Sequence, residues 1–288
     1  MTLEFGAHVS AAGGVDLALG RAAEYAMTSC QIFTKNERQW NAKPLDPAVI
    51  ERFLEKMTET GMGTVVSHDS YLINLASPDD SMWEKSRQAL LEEIRRCDLL
   101  GVPYLNAHPG AHVGSGVETG LARISEAINR SFDEMPDSKT MLLLETTAGM
   151  GTSLGSKFEE IAAVVNGVEA RSRIGVCIDT CHIFAAGYDL RDPESYSATM
   201  AAFDSIIGLD LLKALHINDS LKGLGSKVDR HAHIGEGELG RSAFELLVND
   251  PRLSGLPGIL ETPVGADGKE NGINLATLRG MVRAIEAI

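Results

Sequence analysis

The sequence predicts an α/β fold, a (β/α)8 TIM barrel, on three observations. Short apolar runs recur eight times along 288 residues. Each is followed by a stretch with the apolar spacing of an amphipathic helix. Polar groups gather at the end of nearly every run, the end at which such a barrel carries its reactive groups. The length suits one large core, read as a single domain over 1–288, and is long for a single domain of any other kind. A doubly wound open sheet is the alternative. No Gly-x-Gly-x-x-Gly directly follows any run, which removes that fold's commonest cofactor signature.

The strands are expected at 3–9, 30–34, 64–68, 103–107, 141–145, 175–179, 213–217 and 257–261. The helices between and after them are expected at 14–27, 47–60, 82–100, 121–132, 157–166, 195–209, 241–249 and 273–287. Residues 82–100 place Ala89, Leu90, Ile94, Cys97 and Leu100 on one face. Residues 121–132 do the same with Leu121, Ile124, Ala127, Ile128 and Phe132. Pro47 suits a helix start, and Gly61, Gly101 and Gly167 sit where helices should stop. The longest connection, 218–240, is rich in glycine and charge and exceeds a plain barrel loop.

Composition narrows the function classes. No apolar run approaches membrane length, and Glu4 and Asp16 interrupt the N-terminus, so neither a membrane span nor a signal peptide is expected. Four cysteines, Cys30, Cys97, Cys177 and Cys181, are too sparse for a disulfide scaffold and read as reduced thiols of a cytoplasmic protein. The formal net charge of -14 argues, on its face, against a polyanionic partner.

The stretch 175–188 changes that reading. A short apolar strand stops on Asp179, and His182 follows three residues later. Both groups are costly to bury unpaired. Asp179 as a helix cap with a first-turn histidine is the plain alternative. The pattern recurs, however: His68, His108, Glu145, Asp179, His216 and Glu261 end six of the eight strands, and His182, Asp229 and His231 lie in connections on the same side. Unmetallated, the three strand-end carboxylates would repel across a barrel mouth. A multinuclear site is expected, of the kind that suits Zn, Mn or Fe(II). Nine ligands exceed what one or two ions take from protein. His182, Asp229 and His231 suffice for a further ion with open positions, so three ions is the natural count if one carboxylate bridges a pair.

These residues sit in long motifs: GAHVSAAGG at 6–14, FTKNERQW at 33–40, SHDSYLINLASP at 67–78, HPGAH at 108–112, CIDTCHIFAAGYD at 177–189, HINDS at 216–220, DRHAHIGEG at 229–237 and ILET at 259–262. In order, they resemble the endonuclease IV family of apurinic/apyrimidinic endonucleases from Gly6 to Glu261. Two places depart from its usual pattern: ETTAGMG at 145–151, with Thr146 and Met150 at variant positions, and Ala107 where an aromatic is common. Neither removes a ligand.

The resemblance implies one zinc on His68, His108 and Glu145, a second on Glu145, Asp179, His216 and Glu261, and a third on His182, Asp229 and His231. Mn or Fe is an alternative at the third. It implies a substrate, double-stranded DNA containing abasic sites, cut 5′ to the lesion to leave a 3′-hydroxyl and a 5′-deoxyribose phosphate. Removal of 3′-blocking groups goes with it. A hydroxide bridging the first two ions, held by Glu145 and Glu261, is the expected nucleophile, and no lysine imine is needed. Arg38, Tyr71 and Leu72 are implied wedge residues, filling the stack when the abasic nucleotide is extruded. Lys35, Lys222, Lys227 and Arg230 cluster with Arg38 in loops at the active end and are expected to meet phosphates. Three divalent ions would bring -14 to -8. A monomer is expected. Two other readings stand beside this one: a metal-dependent sugar isomerase or epimerase, which needs only one or two ions, and an inactive damage binder or metal store.

Overall fold

The computed structural model describes residues 2–265 and 268–283. Eight parallel strands form one sheet: β1 (Glu4–Ala7), β2 (Ser29–Phe33), β3 (Thr64–His68), β4 (Tyr104–Ala107), β5 (Met141–Glu145), β6 (Ile174–Asp179), β7 (Leu212–His216) and β10 (Pro257–Leu260). Their order is β1-β10-β7-β6-β5-β4-β3-β2. The two edges meet. Thr28 donates its N–H to the Phe5 carbonyl at 2.9 Å, Val9 donates to the Gln31 carbonyl at 2.8 Å, and His8 bridges Gln31 in parallel. Gly6 permits this approach, since a Cβ there would lie 2.1 Å from the Ser29 carbonyl oxygen. The barrel is thereby closed and the open doubly wound sheet is excluded.

The helices are α1 (Val15–Glu24), α2 (Pro47–Thr60), α3 (Asp80–Leu100), α4 (Val117–Glu134), α5 (Phe158–Gly167), α6 (Thr180–Ala186), α7 (Pro193–Ile206), α8 (Gly240–Val248) and α9 (Lys269–Arg279). Local chemistry sets their ends. Asp46 caps α2 ahead of Pro47, and Gly61 and Gly101 end α2 and α3 in the left-handed conformation. The third helix stop falls as expected, with Gly167 the last residue of α5, and its lack of a side chain serves packing, since a Cβ would meet Ser125 Oγ of α4 at 2.6 Å. The expected helix 273–287 begins earlier, at Lys269, and its residues 284–287 lie outside the described residues. The short helix α6 opens on Asp179, as the capping alternative for that residue had it, and one feature was not expected: an antiparallel pair, β8 (Asp219–Ser220) with β9 (His231–Ala232), inside the long connection after β7.

The main core lies between strands and helices. A second, small cluster joins Leu143, Cys177 and Ala214. Two residues further along the same strands stand Glu145, Asp179 and His216. Strand alternation puts each pair on one face, so one face of three neighbouring strands carries apolar packing below and ligand-type groups at the C-terminal end. All four cysteines are free and buried. Among the described residues no helix is long and apolar enough to cross a membrane.

Candidate metal centre

The strand ends deliver their polar groups to one place. Glu145, at the end of β5, is fully buried and sits in the middle. Its Oε2 lies 3.3 Å from His68 Nε2 and 3.7 Å from His108 Nε2. Its Oε1 lies 3.1 Å from His216 Nδ1 and 3.2 Å from His182 Nδ1. His216 Nδ1 is also 3.2 Å from Glu261 Oε2 and 3.8 Å from Asp179 Oδ2. On the outer side, Asp229 places one oxygen 3.2 Å from His182 Nε2 and the other 3.3 Å from His231 Nε2. Ligand atoms within 4.8 Å of one another thus form the groups His68/His108/Glu145, Glu145/Asp179/His216/Glu261 and His182/Asp229/His231. The last is the open group: the Asp229 side chain is 41% exposed, whereas those of Glu145, Asp179 and His216 are 0%.

The second nitrogen of most of these imidazoles is already committed. His68 Nδ1 donates to the Asp69 carbonyl at 2.9 Å, His182 Nδ1 to the Thr146 carbonyl at 2.8 Å, and His231 Nδ1 to the Glu261 carbonyl at 2.9 Å. His216 donates through Nε2 to Gln31 Oε1 at 2.8 Å. Each bond fixes the tautomer and aims the other lone pair at the cluster. The carboxylates are held in the same way. Gln31 Nε2 donates to Glu261 Oε1 at 2.6 Å, Asn218 Nδ2 to Asp179 Oδ2 at 2.7 Å, and Asn106 Nδ2 to Glu145 Oε2. Asp179 also accepts the His182 N–H through Oδ1 at 2.9 Å. It therefore caps α6 with one oxygen and faces the cluster with the other, so the capping and site readings of this residue both hold.

The donor set fits divalent cations. The decisive atom is His231 Nε2, buried without a hydrogen-bond partner among the described residues although Asp229 Oδ1 and Asp179 Oδ2 stand 3.3 and 3.6 Å away. A lone pair facing two carboxylate oxygens is repulsive until a cation or a proton lies between them. In the protein alone, protons do this. Burial opposes charge on His68 and His231, yet the neighbouring carboxylates, Glu145 for the first and Asp179 and Asp229 for the second, outweigh it and raise both to about 9. The same contest raises His182 and His216 well above the ordinary imidazole value. Against burial, the imidazoles hold Glu145 and Glu261 well below the carboxylate range and lower Asp229. A further grouping, Asp179 with Cys181 and His231, includes a thiol. Burial pushes Cys181 up to about 12, which disfavours the thiolate a metal bond needs.

A family model described as a xylose isomerase-like TIM barrel matches residues 19–281. The chain is 53% identical over 282 residues to the probable endonuclease 4 of Chloroflexus aurantiacus, covering 98% of this chain and 99% of that relative. The crystal structure of endonuclease IV from Thermus thermophilus matches with a TM-score of 0.86 at 37% identity, over 96% of this chain and 98% of that one. The chain belongs to the endonuclease IV family. A D-tagatose 3-epimerase-like protein, at 18% identity and a TM-score of 0.71 over 97% and 98% of the two chains, shares the fold.

As in any barrel of this kind, the endonuclease IV-type centre opens at the strands' C-terminal face. Tyr71 stands between two clefts. One is lined by His108, Met150, His182 and Asp229, the other by His8, His231 and Glu261. Tyr71 is 61% exposed, with its ring 5.5 Å from that of Phe33 and 5.6 Å from that of His68. Leu72 beside it is half-buried. Arg38 is exposed in the stretch after β2, and Lys222, Lys227 and Arg230, all three exposed, lie on the loop joining β8 and β9. Lys35 corrects the expectation of a phosphate contact: its side chain is 4% exposed and its Nζ lies 3.1 Å from Glu93 of α3. A lysine in a polar loop reads as solvated, and the buried partner sits far along the sequence. Sequence reasoning also missed Gln31, Asn106 and Asn218. A primary amide within an apolar strand, as at Gln31 in SCQIF, was the available signal.

Proposed function

We propose that this endonuclease IV family member hydrolyses the phosphodiester 5′ to an abasic site in double-stranded DNA. The products are a 3′-hydroxyl and a 5′-deoxyribose phosphate, and the same centre removes 3′-blocking groups. The observation that carries this reading is the set of three ligand groups gathered around Glu145 at the barrel mouth. Three zinc ions would be held by His68, His108 and Glu145; by Glu145, Asp179, His216 and Glu261; and by His182, Asp229 and His231, with Mn or Fe as alternatives at the last. When bound, such ions lower the pKa of coordinated water towards ~7 and neutralise charge on the phosphate and the departing oxygen.

The chain's own residues prepare the rest. Glu145 ties the first two groups together, and Gln31, Asn106 and Asn218 hold the carboxylates so that nothing need reorganise during reaction. The exposed group around Asp229 leaves room for a phosphate oxygen. Tyr71 and Leu72, with Arg38, occupy the place where a nucleotide leaves the stack. Extrusion is cheap for an abasic nucleotide, which has neither pairing nor stacking to lose.

The test is cleavage of an abasic oligonucleotide alongside metal content, before and after chelation. Three ions per chain, cleavage on the 5′ side and loss of both on chelation are expected. Full cleavage by metal-free protein, or one to two ions with turnover of a ketose, would overturn the reading in favour of the epimerase alternative or another chemistry. The group formed by His182, Asp229 and His231 is what sets this centre apart from a site built for one or two ions.

A further inference from the structure

The stretch from Thr34 to Asp46 contains neither helix nor strand. Through Thr34, Lys35 and Glu37 it walls the cleft that opens on Glu261 and His231, and it carries Arg38. A connection this long and irregular is ordinarily among the least stable parts of a fold. Here it is fastened from beneath by buried charges on α3.

Glu93 Oε1 lies 3.1 Å from Lys35 Nζ, and Glu93 Oε2 accepts from Thr34 Oγ1 at 2.9 Å. Arg96 donates to Thr34 Oγ1 at 3.1 Å, to the Lys43 carbonyl at 3.0 Å and to the Thr34 carbonyl. Lys35 Nζ donates to the Gln39 carbonyl at 3.2 Å. Further along the stretch, Lys85 of α3 sits 4.2 Å above the Trp40 ring. Ser70 Oγ donates to the Glu37 carbonyl at 2.6 Å, which ties the stretch to the turn bearing Tyr71.

Glu93 and Arg96 are 1% and 4% exposed. Taking such charges out of water is expensive, and apolar side chains would satisfy packing at least as well. Neither residue belongs to a ligand group among the described residues. What the network supplies is bonds to main-chain carbonyls at Thr34, Gln39 and Lys43, on both sides of Arg38.

We propose that Glu93, Arg96 and Lys35 are positioning residues for substrate binding: they hold residues 34–46 in one shape, so that Arg38 is presented to DNA beside the Tyr71 turn. The inference rests on the reading that the barrel mouth binds damaged duplex. Arg38 itself is 85% exposed and, among the described residues, has only Glu37 as an ion-pair partner, at 3.4 Å. Its placement therefore comes from the backbone that carries it.

The test uses Glu93→Gln, Arg96→Met and the conservative Arg96→Lys, each alone and combined with Arg38→Ala. Metal content per chain is expected to stay at the wild-type value. KM for an abasic duplex should rise about tenfold or more in Glu93→Gln and Arg96→Met, with kcat within about twofold and partial recovery in Arg96→Lys. Tryptic cleavage after Lys35 should become faster in Glu93→Gln, a readout that needs no DNA. Arg38→Ala should raise KM in the wild-type background and change it less than about twofold in the Glu93→Gln background. Should Glu93→Gln fail to fold, the pair Glu93→Gln/Lys35→Gln removes both buried charges of the Glu93–Lys35 pair, leaves Arg96 with Glu92 at 3.8 Å, and carries the same KM comparison. Unchanged KM with an unchanged tryptic pattern, or full additivity with Arg38→Ala, would overturn the proposal. A wild-type protein that ignores abasic DNA would instead overturn the proposed function, and the tryptic comparison would still report whether the network holds the loop.

Discussion

Glu145 reaches two ligand groups with one carboxylate: Oε2 turns to His68 and His108, and Oε1 to His216. Glu261 is held differently, with Oε1 taken by Gln31 and Oε2 turned to His216. Glu261→Gln keeps the size and one acceptor oxygen but removes the charge. It should lower cleavage of an abasic oligonucleotide by ~10²–10³-fold or more, on the scale of losing one preorganised electrostatic partner. Binding to the duplex should persist in part, and full turnover by this variant would refute the role. Gln31→Ala should weaken metal retention by about 10- to 100-fold, the usual effect of removing an orienting partner, as read by titration with a competing chelator. The imidazoles add a pH dependence. His68 and His231 are raised to about 9, above the unfolded value of 6.5, so in metal-free protein their paired, protonated forms contribute stability below about 6.5. That contribution is lost as pH rises through about 9. Metal ions must displace these protons. Melting curves should therefore show the gap between metal-loaded and stripped protein widening from pH 6.5 to 9, with proton release on metal addition near neutrality. A gap that narrows over that range would mean the imidazoles are not the groups titrating.

Elements place these atoms, and the connection after β7 shows how. It carries Asp229 and His231, and its shape depends on Asp219, whose buried carboxylate accepts N–H bonds from Ser220, Gly235, Gly237 and Leu239 at 2.7–3.0 Å. Asp219→Ala would strand several buried donors. It should destabilise the fold by ~3 kcal/mol or more in urea unfolding and reduce metal content at the outer group. Asp219→Asn, which still accepts with one oxygen, should lose less. The strands around this connection were legible because their signal is local: a short apolar run that ends in a charged or imidazole group. β3 and β5 fall at the expected residues, and the other strand ends shift by about one or two. The hairpin of β8 and β9 was not legible, since two residues per strand leave no alternation to read. The start of α6 was legible only as a rival to the metal reading, because Asp179 ends a strand, starts a helix and faces the cluster at once. The same limit explains Lys35. Its partner Glu93 lies on α3, a helix away, and only the closed barrel brings the two together.

On the scale of the whole molecule, a net charge of -14 has to be reconciled with a polyanionic substrate. The sign of the total matters less than where the charge lies. The ligand groups concentrate Glu145, Asp179, Asp229 and Glu261 at the mouth, where bound cations would reverse the local field, and Arg38, Lys222, Lys227 and Arg230 stand on loops predicted to meet DNA. With Lys35 buried against Glu93, few cations remain to neutralise phosphates without regard to sequence or damage. Affinity for undamaged duplex should accordingly be weak and should fall steeply as salt rises. On the proposed function, selectivity for an abasic site would then come from deformation. A paired nucleotide pays a few kcal/mol to leave the stack and an abasic one far less, so a difference of ~2–3 kcal/mol would separate the two duplexes by about 30- to 150-fold. The measurement is competition between a duplex bearing a tetrahydrofuran abasic analogue and the same duplex intact, with calcium in place of catalytic ions and across a range of salt. The ratio should survive changes in salt, because both duplexes share the phosphate contacts while only one avoids the unstacking cost. A ratio that collapses towards one as salt rises would place discrimination in the charged loops instead, and equal affinities at every salt concentration would remove deformation as the source of selectivity.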